Sequence, residues 1–311
     1  MTSTRLTLSA TLIAVAAALS ACASHSDASG ASSAASRTAP TVPSALTTQV
    51  FNPGEQAIFA VTSVLVEGQK DAILIDAQFS AAEARKLAER IKASGKRLTT
   101  IYISHGDPDF YFGLDTLQAA FPQAQILATP KTIAHIQETK DAKLKVWGPQ
   151  LGANAPKAIV MPQALRGDTL TLEGQALQIV GLDGPTPDRT FVWIPSIQTV
   201  AGGIPVQWGS HVWMADTQTP ASHAHWLQTL ERIRALRPAV VIPGHFSGPM
   251  PKGLAAVDFT ADYIRAFDAE TPKAANSAQL IDAMNKRYPQ LGGHDSLTLS
   301  AKVAKGEMQW K

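Results

Sequence analysis

From about Val50 onward, short apolar runs alternate with longer segments whose apolar residues recur every three to four positions. Ala57 to Val66 and Ala72 to Asp76 are apolar or β-branched, and Glu67-Gly68-Gln69-Lys70-Asp71 separates them. This predicts a hairpin whose second strand ends at Asp76. Ser80 then predicts a helix start, Ala84, Leu87, Ala88 and Ile91 carry an apolar face over Ala81 to Ser94, and Gly95 is the stop. Leu98 to Ile103 reads as a buried strand, Leu114 to Phe121 as helix, Gln125 to Ala128 as strand and Pro130 to Lys140 as helix. Alternation of this kind predicts a layered α/β architecture.

From Asp168 to Gly181 the period changes to two, alternating around Glu173-Gly174, and predicts a second hairpin. Thr190 to Ile194 and Gln198 to Val200 continue the strands. Ala221 to Leu236 is a helix, and Ala239 to Ile242 a buried strand that ends in Pro243-Gly244-His245-Phe246. From about Phe259 the pattern turns mainly helical, over Tyr263 to Ala269 and Ser277 to Arg287.

The first fifty residues follow different rules. Arg5 precedes an Ala-rich apolar run, Leu6 to Leu19, too short for a comfortable membrane span and suited to a secretory signal. Leu19-Ser20-Ala21-Cys22 resembles a bacterial lipoprotein signal, in which Cys22, the only cysteine, becomes the lipidated N-terminus. The other reading of Cys22 is an incidental residue beside an ordinary cleavage site. After it, Ser, Ala, Thr, Gly and Pro dominate to about Thr48, a composition that cannot offset its ordering entropy and predicts a flexible tether. The expected organisation is a signal over 1–21, a tether over 22–49, a main domain over 50–258 and a mainly helical extension over 259–311. The protein is expected to be exported and held by its lipid on a bacterial membrane, facing the periplasm.

Composition narrows the function classes. The 311 residues, 45% of them hydrophobic, suffice for one large core or two modest ones. A formal charge of +2 without basic-aromatic interleaving argues against nucleic acid, leaving a small molecule as the expected partner. A single cysteine excludes internal disulfides and clusters of thiolate ligands. The sequence carries no signal for oligomeric state.

Candidate chemistry concentrates in Ile103-Ser104-His105-Gly106-Asp107-Pro108-Asp109-Phe110-Tyr111-Phe112-Gly113, between a predicted strand and a predicted helix. Imidazole and carboxylates at alternate positions suit a divalent cation. The plainer reading is a turn in which Asp-Pro-Asp caps the next helix. His245 leaves a second strand end at a Gly-bearing turn, and Ser210 to Asp216 carries His211 and Asp216. Asp183 and Asp188 flank Gly184-Pro185-Thr186-Pro187. His211 also reads as packed beside Trp213, Asp216 as a turn carboxylate and Asp188 as a partner of Arg189. His223 and His225 are expected to face solvent, and His135 and His294 stand alone.

On these residues the chain, over roughly Val50 to Ser247, resembles the metallo-β-lactamase-fold hydrolases, which implies a four-layer αββα sandwich of the α/β (α+β) class. The family's turn reads His-x-His-x-Asp-His; His105 matches the first His and Asp109 the Asp, while Asp107 and Phe110 stand at the other two positions. Proline replaces the histidine of a Gly-His-Thr-Pro context, Gly203 stands where a bridging Asp is expected, and His245 is retained. The resemblance implies metal ligands His105, Asp107, Asp109 and His245, with Asp216, His211 and Asp183 as further candidates, and Asp109 or Asp107 assisting proton transfer. Zinc is the first expectation, manganese or iron the alternatives for an oxygen-richer set, and a site without metal the remaining one. Two functions follow: a hydrolase of an ester, lactone, thioester or amide at a modified single-metal site, or a non-catalytic periplasmic binding protein.

Overall fold

The computed structural model describes residues 45–310; the signal segment, Cys22 and most of the expected tether lie outside them. A six-stranded sheet is formed by β1 (Thr47–Phe51), β2 (Ser63–Glu67), β3 (Asp71–Ile75), β4 (Arg97–Ile103), β5 (Gln125–Ala128) and β6 (Gln163–Ala164), in that spatial order. Its first three strands pair antiparallel and β3 to β6 parallel. The parallel strands are connected through α1 (Ala81–Ala93), α2 (Pro108–Tyr111), α3 (Leu114–Ala120) and α4 (Pro130–Leu151). Helix α1 starts at the predicted Ser80, whose hydroxyl accepts from the Glu83 amide while the Glu83 carboxylate accepts from the Ser80 amide.

A second sheet contains β7 (Thr169–Leu172), β8 (Gln175–Val180), β9 (Phe191–Ile194), β10 (Thr199–Ala201) and β12 (Val240–Val241), with the last strand parallel to β10. The short β11 (Gln207–Trp208) and β13 (His245–Phe246) pair parallel beside it. Helix α5 (Pro220–Ala235) precedes β12, and α6 (Ala255–Glu270), α7 (Ser277–Arg287) and α8 (His294–Ala304) follow β13. In the β7–β8 hairpin, Glu173 and Gly174 both adopt positive φ, the geometry a two-residue turn requires. The Glu173 carboxylate accepts the backbone N–H groups of Gln69, Lys70 and Asp71, tying the two predicted hairpins together at their tips.

Strand alternation builds the layers. Leu65 and Leu74 face a core with Leu87 and Ile91 of α1, Leu117 of α3 and Ile136 of α4. Their neighbours Val64, Val66, Ile73 and Ile75 face the other sheet, meeting Leu177, Ile179, Val192 and Ile194. On the far side, Phe191 and Trp193 pack against Leu230 of α5, Ile264 and Phe267 of α6, Met284 of α7 and Leu297 of α8. Three cores between four layers form the expected αββα sandwich.

Two expected boundaries move. Strand β1 pairs with β2 from Thr47, inside the expected tether. The boundary expected at residue 259 falls within α6, whose buried face, with those of α7 and α8, covers the second sheet. Without these helices the apolar side of β9 would meet water, so residues 259–310 form a layer of the fold rather than an appendage.

Candidate functional site

Strand β4 ends at Ile103 and delivers Ser104 and His105 to the edge of the sheets. Beneath this turn, the buried Asp76 accepts from the Ser104 amide at 2.8 Å and from the Ser104 hydroxyl at 2.6 Å. The Ser104 hydroxyl oxygen in turn accepts from the Gly203 amide at 2.6 Å. Burial pushes the Asp76 carboxyl up to about 7 against the lowering effect of these hydrogen bonds.

The candidate ligands form two pairs. His105 Nε2 lies 3.1 Å from Asp107 Oδ2, and His245 Nε2 lies 2.6 Å from Asp109 Oδ2. Asp107 occupies the N-cap of α2 but makes no capping hydrogen bond, contrary to the plainer reading of the turn. Its other oxygen accepts from the Lys143 ammonium at 2.5 Å. Burial works to raise the Asp107 carboxyl, yet the charges and hydrogen bonds of His105 and Lys143 outweigh it and hold the group well below the usual carboxylate range. Phe110, at the position of the turn's last expected histidine, is fully buried and packs edge-on against the rings of both His105 and His245, with centroids 5.3 and 5.5 Å apart.

These positions do not fit a two-metal centre. A catalytic zinc site takes about three protein donors, and among the described residues no group of three His, Cys, Asp or Glu side chains is arranged to hold an ion. Each pair is a donor short. Gly203 shows why one donor is missing: at φ 76°, a Cβ there would lie 2.0 Å from the Thr190 carbonyl oxygen, leaving no space for an aspartate side chain. Gly244 is constrained likewise by the Gly203 carbonyl, which explains the glycine preceding His245.

The other candidates separate. Asp183 is exposed and forms a bidentate ion pair with Arg232 of α5, and it does not line the cleft. His211 does line the cleft, but it is buried with Nδ1 2.9 Å from the Tyr263 hydroxyl and Nε2 3.2 Å from Asn285 Oδ1. A neutral ring satisfies both contacts, and burial lowers its pKa to about 4. Asp216 also borders the cleft, where its carboxylate accepts from the indoles of Trp213 at 2.6 Å and Trp310 at 2.7 Å. Burial, followed by the Asp107 charge, raises its pKa. His223, expected in solvent, is buried between Asp268 and the Thr217 carbonyl because the α5 face carrying it packs on α6.

A cleft of about 880 Å³ contains both pairs and is walled by Phe59, Trp147, Trp213 and Trp310. Sequence reasoning placed neither Trp147 nor Trp310 there, and it left His135 and Lys143 out. His135, Thr139, Ala142, Lys143, Val146 and Trp147 form one face of α4 and all border the cleft. The expected helix, Pro130 to Lys140, stops short of Lys143, Val146 and Trp147, whereas α4 continues to Leu151. Gly106 permits the His135 ring to approach, since a Cβ there would lie 2.5 Å from it. His294, which also stood alone in sequence, tilts against His211 at 5.6 Å.

The profile of the metallo-beta-lactamase superfamily matches residues 58–245. Among solved structures, the chain is similar to a metallo-beta-lactamase family protein from Thermus thermophilus, with a TM-score of 0.58 and 15% identity over 83% of this chain and 91% of that one. A beta-lactamase domain protein from Burkholderia ambifaria gives 0.57 and 17%, covering 86% and 88%. A metallo-beta-lactamase from Pontibacter korlensis gives 0.53 and 18%, covering 72% and 96%. At these identities the likeness concerns the fold. No curated protein matches the chain.

Proposed function

The chain belongs to the metallo-beta-lactamase superfamily, whose members are generally metal-dependent hydrolases that typically bind divalent ions such as zinc, and from that premise we propose that it is a small-molecule-binding member of the group. The observation that carries this reading is the Lys143 ammonium on Asp107, which neutralises the carboxylate at the centre of the motif turn. The cleft itself is retained, and its aromatic walls suit an apolar or amphipathic molecule. The signal-like segment and Cys22 support a lipid-anchored periplasmic location. Among the described residues no helix is long and apolar enough to cross a membrane.

The chain's own groups do the following in this reading. Phe59, Trp147, Trp213 and Trp310 remove apolar surface of the ligand from water. Lys143 and the His105–Asp107 pair present a polar floor of fixed geometry. The indole N–H groups of Trp213 and Trp310 hold Asp216, which keeps those rings oriented.

A second reading is favoured by one observation, the close His245–Asp109 pair in the same cleft. It makes the protein a hydrolase of an ester, lactone, thioester or amide, with His105, Asp107, Asp109 and His245 serving one zinc, manganese or iron ion. Protein purified without chelator, with His105→Ala and His245→Ala beside it, separates the two. Elemental analysis and turnover assays on a chromogenic cephalosporin and p-nitrophenyl esters, with each metal added, are the readouts. The binding reading expects sub-stoichiometric metal unaffected by either substitution, no turnover, and thermal shifts with amphipathic small molecules. Metal-dependent turnover abolished by both substitutions would overturn it in favour of the hydrolase.

A further inference from the structure

We propose that Arg189 and Gln207 form an anion subsite in the cleft that selects an amphipathic ligand carrying a carboxylate. The inference names the ligand class for the preceding reading and rests on it. Among the described residues, two side chains of permanent positive charge border the cleft, Lys143 and Arg189. Lys143 is committed to Asp107. The Arg189 guanidinium, half-buried, donates only to the backbone carbonyl oxygen of Asp216, at 3.5 Å. Among the described residues no carboxylate forms an ion pair with it, Asp188, its expected partner, included. The Asp216 carboxylate is turned instead to the indoles of Trp213 and Trp310. Arg189 therefore keeps most of a planar fork of five N–H donors, whose geometry matches a carboxylate.

Gln207 supplies an independent observation. It is 3% exposed and borders the cleft, and its Oε1 accepts from the Trp213 amide at 3.3 Å. That contact fixes which end of the side chain is the donor, and the buried Nε2 group has no hydrogen-bond partner. A ligand oxygen would satisfy it. The two donors belong to one continuous wall: Arg189 touches Asp216, Asp216 holds the Trp213 indole, and the Trp213 backbone holds Gln207. Arg189 itself is placed by the loop between β8 and β9, where its amide donates to the Thr186 carbonyl at 2.9 Å. The rings of Trp213 and Trp310 lie on the same wall and would cover the apolar body of the ligand.

The test is calorimetry on the full chain with three probes that share one apolar body: indole-3-acetate, the uncharged indole-3-acetamide, and 3-ethylindole, which has no oxygen. Wild type, Arg189→Gln and Gln207→Leu are compared, and circular dichroism establishes that each is folded. Wild type is expected to bind the acetate at least about tenfold more tightly than the acetamide, a factor set by one charge-assisted contact. Arg189→Gln should bring the acetate down to the acetamide and leave the other two probes unchanged. Gln207→Leu should weaken the acetate and the acetamide but not 3-ethylindole; if that variant does not fold, Arg189→Gln alone decides. An acetate bound no more tightly than the acetamide by wild type, a preference that survives Arg189→Gln, or affinities unchanged in folded Gln207→Leu would overturn the inference and leave the binding reading standing. If wild type binds none of the three probes, nor decanoate, nor decanol, both fall.

Discussion

A Cβ on Gly203 would stand 2.0 Å from the carbonyl oxygen of Thr190. The backbone of Gly203 also has φ 76°, and its amide donates to Ser104 beneath the motif turn. Gly203→Asp is therefore expected to destabilise the fold by at least about 2 kcal/mol without creating a metal site. Urea denaturation with a parallel cobalt titration checks this. A variant as stable as wild type would contradict the packing described at this position.

Asp76 should make stability depend on pH in a defined window. Its folded pKa of about 7 lies above the ordinary aspartate value of 3.8, so the folded chain binds the proton more tightly than the unfolded one. The contribution is complete below about pH 4 and is lost as pH rises through 7, on the order of 4 kcal/mol in total. His211, with its pKa lowered to about 4, acts in the opposite sense, losing stability as pH falls from 6.5. Melting temperatures measured from pH 4 to 8 should fall less with pH in Asp76→Asn than in wild type; parallel curves would remove Asp76 as the cause.

Trp310 joins the C-terminal end to the cleft wall through its indole bond to Asp216, its edge contact with Trp213 and a bond from Gln218 to its carbonyl. Trp310→Ala is expected to cost about 1–3 kcal/mol by leaving a largely buried carboxylate short of a donor. Trp310→Phe should recover ring packing but not the hydrogen bond. Denaturation midpoints that match wild type in both variants would contradict this account.

The lipid anchor proposed at Cys22 gives a direct expectation in cells. Wild-type protein should partition with membranes, and Cys22→Ala should release it to the soluble fraction. An unchanged distribution between the fractions would remove the anchor.

Local pattern was a reliable guide where one element's periodicity decided the outcome. Helix α1 with its Ser80 cap, β5 over Gln125–Ala128 and α7 over Ser277–Arg287 lie where their residues predict. Pattern failed where a boundary depended on distant packing. Helix α6 extends eight residues before Tyr263 because Ala256 and Val257 bury in the core on the far side of the second sheet, with Phe191 and Trp193. Helix α4 continues beyond Lys140 along the cleft for the same kind of reason, since Leu144 and Trp147 pack against the first core.

By itself the sequence determined a layered α/β alternation of strands and helices, because strand alternation, helix spacing and turn glycines act within a few residues of one another, and its resemblance to the metallo-β-lactamase fold implied the αββα order and the place of the cleft. It also identified the departures at Asp107, Phe110 and Gly203. Only the tertiary structure decided what those departures do. The two histidine–carboxylate pairs, the closure of position 203 by Thr190 and the arrival of Lys143 at Asp107 all depend on how the packed chain places these groups. Hydrogen bonding and steric exclusion act across a few ångströms of space, and only the packed layers bring α4, the motif turn and β13 that close.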